Sequence, residues 1–88
     1  MNNERRKQIA EIQERLSALQ SIADEIKSDL EQIRDDEQDY FDNMPEGFQS
    51  GERGQRAEEV ISYLDDVISD IDDIVGADFE GALESAAE

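Results

Sequence analysis

From Ile9 onward the apolar residues of this chain step by three and four without a break: Ile9, Ile12, Leu16, Leu19, Ala23, Ile26, Leu30 and Ile33, then Tyr40 and Met44. These are a and d positions of a single heptad, the pattern of a helix that buries one stripe against another helix. Good helix formers fill the intervals, and no Gly or Pro occurs before Pro45. The spacing therefore predicts one helix from about Asn3 to about Asp42, roughly 60 Å long at about 1.5 Å per residue. Asn2 or Asn3 is placed to cap its first turn.

Residues 43–54 hold the only Pro and three of the five Gly. Pro45, Glu46 and Gly47 form turn chemistry that ends the first helix, so a hairpin tip is expected over 43–51, with the chain folding about Gly47 and Ser50 capping the second helix. A second heptad then appears three times, as EEVISYL, DDVISDI and DDIVG. Ala57, Leu64 and Ile71 take a, Val60, Val67 and Ile74 take d, and Ile61, Ile68 and Val75 take e. This predicts a helix over about 52–76, and the spacing of Phe79, Ala82, Leu83 and Ala86 favours its continuation to 86. The expected fold is a single all-α domain over 1–88, a long antiparallel helical hairpin of coiled-coil type. The e column Ile61, Ile68 and Val75, with Ile22 at g, is wider than one partner helix covers, which points to a homo-oligomer, a dimer or higher helical bundle.

Charge bounds the partners. Twenty-five acidic residues stand against eight basic ones, a net charge of -17. Such a surface repels nucleic acid and anionic membranes and favours a basic protein partner. The excess is uneven: residues 1–34 carry six basic and seven acidic side chains, residues 35–88 two basic and eighteen acidic. Folding about Gly47 is expected to bring Arg34 to Glu58 and Glu59, Lys27 to Asp65 and Asp66, Arg15 to Asp78, and Arg5 to Lys7 toward Glu84 and Glu88. These pairs would fix the antiparallel alignment.

Catalysis has little to work with. There is no histidine or cysteine for a triad, and Ser62 and Ser69 sit at f with no base in view. Asp35, Asp36, Asp39 and Asp42 lie on a helix without a calcium-binding loop, and the tip glycines do not match a phosphate-binding spacing. The expectation is a non-enzyme with no cofactor and no metal. No apolar stretch approaches a signal segment or a membrane span, which with the absent cysteines suggests a cytoplasmic setting.

Three kinds of function remain. Glu58 and Glu59, Asp65 and Asp66, Asp70, Asp72 and Asp73 make an acidic ladder that repeats every roughly 10.5 Å and imitates a phosphate backbone, although duplex DNA carries about two to three times the charge over that rise. A solvated helix face explains the same ladder without a partner. At the tip, Tyr40, Phe41 and Phe48 cluster near Arg53 and Arg56, an arrangement that can stack a base and hold a phosphate of a small nucleotide-like ligand. The alternative there is that the rings plug the end of the bundle while the arginines pair with nearby acids. The third kind is a structural or assembly coiled coil.

The stretch Tyr40-Phe41-Asp42-Asn43-Met44-Pro45-Glu46-Gly47-Phe48-Gln49-Ser50-Gly51-Glu52-Arg53-Gly54, with an acidic heptad helix after it, resembles small acidic helical proteins encoded by bacteriophages and prophages. The resemblance spans about residues 35–75 and transfers no catalytic or ligand residue. It implies a setting in a bacterial host cell and a stoichiometric inhibitor of a host defence or nucleic-acid protein, whether by mimicry of DNA or by sequestering a nucleotide-derived immune signal.

Overall fold

The computed structural model describes all 88 residues. Four helices succeed one another: α1 (Asn3–Asp42), α2 (Glu46–Gln49), α3 (Glu52–Val75) and α4 (Phe79–Ala87). There is no strand, and α1 packs against α3 and α4 as a hairpin rod 67 Å long and about 15 Å across. The Asn2 side chain starts α1, its Oδ1 accepting from the Arg5 amide at 2.8 Å.

The tip is more structured than a bare turn. Residues 46–49 form a helical turn of their own, and Gln49 Nε2 donates to the Phe41 carbonyl at 3.1 Å, pinning that turn to the end of α1. Ser50 does not cap α3. Its hydroxyl donates to Glu46 O, and Gly51 stands at the start of α3 instead. Gly54 is buried directly on the Gln49 backbone, where a β-carbon would collide, so the glycine permits the close approach that closes the tip.

This extra turn moves the fold point. The reversal lies near Gln49 and Ser50 rather than Gly47, which shifts the expected register by one heptad. Arg34 meets Asp65, not Glu58 or Glu59, and Lys27 meets Asp72, not Asp65 or Asp66. Arg15 takes part in none of the five ion pairs. At the far end Arg6 reaches Ala87 O (2.8 Å) and Glu88 O (3.1 Å), closing the rod.

The second arm bends instead of continuing. α3 stops at Val75, Gly76 to Asp78 interrupt it, and Asp78 Oδ1 accepts from the Gly81 amide at 2.9 Å to start α4. Gln20 satisfies the break from across the hairpin, its Nε2 donating to Ile74 O (3.0 Å) and Ala77 O (2.8 Å). Carbonyls freed at a helix end need such partners.

The seam also differs from the expected a/d pairing. On α1 the covered column beside Ile9, Leu16, Ala23 and Leu30 is Gln13, Gln20, Lys27 and Arg34, the e positions. On α3 it is Ile61, Ile68 and Val75, again e, with Ile68 and Ala57 buried. The d column of α1 is left at the side, while on α3 Val60 and Ile74 are half-buried and Val67 is exposed. Ile12, Leu19, Ile26, Ile33 and Tyr40 are all exposed, as are Ile22 and Tyr63 at g and Val67 at d of α3. The apolar d residues of α1 that periodicity assigned to the interior therefore lie on the surface, and the α3 e column expected to face a second copy lies inside the hairpin.

Candidate functional site

Two antiparallel helices that both turn their a and e columns inward must carry their d columns on one long side and their b columns on the other. The b side is polar. Here Lys27 Nζ donates to Asp72 Oδ1 at 2.8 Å and Arg34 Nη1 to Asp65 Oδ1 at 3.1 Å. Arg34 also bonds Asp35, and both basic groups titrate above their ordinary values, in each case chiefly because of these carboxylate hydrogen bonds.

The acidic ladder is consequently divided. Asp65 and Asp72 are held by the first helix, and Glu59 accepts from Arg56 at 3.2 Å. Glu58, Asp66, Asp70 and Asp73 make no ion pair and are exposed, so they are the unneutralised carboxylates of α3: Asp66 and Asp73 at c on its outer face, Glu58 at b, and Asp70 at g in the column of Tyr63. No group of three or more carboxylates is placed to hold a metal ion.

The tip brings together most of the residues singled out from sequence. Tyr40, Phe48 and Arg53, with Asn43, Met44 and Pro45, line an open cleft of about 270 Å³. Tyr40, Arg53 and Arg56 line a second of about 380 Å³, together with Glu37 and Glu52. Phe41 lies in neither; it is half-buried and its carbonyl receives Gln49. The two glutamates oppose an anionic ligand, whereas Arg53 makes no ion pair and no side-chain hydrogen bond.

A third cleft, about 410 Å³, lies where α4 meets α1 and is lined by Leu16, Gln20, Phe79 and Glu80 among others. It is a product of the Gly76 bend. A lone Gly inside a helical pattern, with Asp two residues later, was the available signal for it.

No family model, curated protein or solved structure matches the chain. No helix is long and apolar enough to cross a membrane.

Proposed function

We propose that the protein is a non-catalytic binding protein that occupies a basic, nucleic-acid-binding partner through the outer face of α3. The observation that carries this reading is the division of the ladder. The hairpin holds Asp65 and Asp72 with its own cations and leaves Glu58, Asp66, Asp70 and Asp73 projecting from a stiff helix. Free carboxylates at a fixed helical repeat steer and position a cationic surface, with an attraction that salt screens. The resemblance of residues 35–75 to small acidic phage proteins extends the proposal to a counter-defence inhibitor acting on a host protein.

The test is capture from a bacterial lysate with the wild-type chain and with the triple variant Glu58→Lys, Asp66→Lys, Asp73→Lys. A basic protein retained at low salt, released at high salt and absent from the variant is expected. Retention unchanged in the variant, with its helicity intact, would remove the acidic face from the mechanism.

One observation favours a second reading, in which the tip sequesters a nucleotide-like ligand: Arg53 has no intramolecular partner and stands beside Tyr40 and Phe48. Calorimetry with mono- and dinucleotides would register heat that disappears in Arg53→Ala. An absence of heat with the wild-type chain excludes it.

A further inference from the structure

The acidic face lies on the outside of α3, and the d side of the rod offers something chemically different. Ile12, Leu19, Ile26 and Ile33 run along it on α1, and Val67 and Tyr63 face the same way on α3, all exposed. Only four of the 88 residues are buried in the hairpin. Monomeric proteins rarely expose apolar patches beyond roughly 300–600 Å². One long side of a rod 67 by 15 Å offers about 1,000 Å², above the ~800 Å² per partner of a standard interface.

We infer that this side is covered by a second copy of the chain, the α1 of each lying on the α3 of the other in a four-helix bundle. Two observations select this occupant and this pairing. The first is register. The Lys27–Asp72 and Arg34–Asp65 bridges, each pair seven residues on from the other along both helices, set Ile26, Ile33 and Tyr40 within about one residue's rise of Ile74, Val67 and Val60. A two-fold axis along the rod keeps these levels, so each layer closes with four d residues, such as Ile26 and Ile74 from both copies. The second is charge. α1 carries six basic and twelve acidic side chains, whereas residues 52–88 carry two basic and twelve acidic, so six of the eight cations lie on α1. Laying α1 on the other copy's α3 sets those cations beside the more acidic arm, whereas laying α3 on α3 would set the two more acidic arms in contact.

The seam is apolar along its d columns and flanked at g by Asp29 and Asp70, between two copies that each carry -17, so association strengthens with added salt. Binding of a basic partner by the acidic face weakens with salt, and sedimentation uses the purified chain alone, so the two readings fail separately.

Sedimentation equilibrium of the full chain at micromolar concentration is expected to give twice the 10.0 kDa chain mass, with the dimer favoured at high salt. Ile26→Glu with Ile33→Glu is expected to give one chain mass. Ile33 is 53% exposed in the hairpin, so the hairpin does not depend on it. Because the chain has no cysteine of its own, single cysteine replacements report the pairing without competing thiols. Ile26→Cys mixed with Ile74→Cys is expected to yield a disulfide-linked heterodimer, and Ile26→Cys alone none. A mass of one chain at high salt would overturn the inference and leave the side to a partner of different sequence. A linked dimer of Ile26→Cys alone would overturn the α1-on-α3 pairing.

Discussion

The Nζ of Lys27 donates to Oδ1 of Asp72 at 2.8 Å, joining residues 45 apart in the chain. This bond, with Arg34 to Asp65 one heptad nearer the tip, fixes how the two arms slide along each other. A slip by a whole heptad would preserve every apolar contact type, so periodicity leaves that choice to the tip and to these pairs.

Alkaline titration should expose the Lys27 contribution. The hydrogen bond to Asp72 raises its pKa above the ordinary 10.5, with desolvation opposing and the charges of Asp72, Glu31 and Asp24 assisting. A raised folded-state value gives stability that is complete below the unfolded pKa and lost as pH rises through the folded one. The difference in melting temperature between wild type and Lys27→Met should therefore be full at about pH 8 and shrink above about pH 10.5. A difference that stays constant over this range would show that the pair does not couple to folding.

Gly54→Ala should destabilise by about 1–3 kcal/mol, because the new β-carbon must displace the Gln49 backbone. At roughly 4–8 °C per kcal/mol for a chain of this size, the loss is readily seen in a thermal melt. Gly47→Ala meets nothing within 4 Å and lies in α2, so it should be neutral or raise stability by up to about 1 kcal/mol.

Ile68→Ala removes the largest side chain of the hairpin core and should cost about 2–5 kcal/mol at every protein concentration. Ile33→Ala, on the d side, should lower the melting temperature only at concentrations where two chains associate. Dilution series of both variants separate the intramolecular seam from the intermolecular one.

Asp78→Ala should release α4 from its start while leaving the rest of the rod in place. Loss of a capping side chain costs about 0.5–2 kcal/mol, and amide exchange over 79–87 should accelerate while residues 16–34 stay protected.

The long first helix, its Asn2 cap, the tip and the second heptad were legible because each rests on local rules of spacing, turn chemistry and capping. The choice of seam was not. On α3 the d and e columns are both apolar, Val60, Val67 and Ile74 against Ile61, Ile68 and Val75, and hydrophobicity alone does not rank them. On α1 the polar e residues win over the apolar d residues because their ends have specific work on the facing helix. Gln20 satisfies two carbonyls at the Gly76 break, and Lys27 and Arg34 neutralise two aspartates while their aliphatic stems lie along the seam. Those partners exist only once the two arms are side by side. The same is true of the acidic ladder, whose repeat was visible in the sequence but whose division into paired and free carboxylates depends on register. At the tip, Tyr40, Phe48, Arg53 and Arg56 do converge, and what sequence reading missed is that Glu37 and Glu52 line the same cleft.

Arg6 ties the beginning of the rod to Ala87 and Glu88, so both ends of the chain meet at the pole opposite the tip. A pull applied through those ends cannot load the cross-links together. It opens them one after another, Arg6 first, then Gln20, Lys27 and Arg34, as a zipper opens. Under tension this molecule is a weak latch, although it is a stiff spacer against compression along its length.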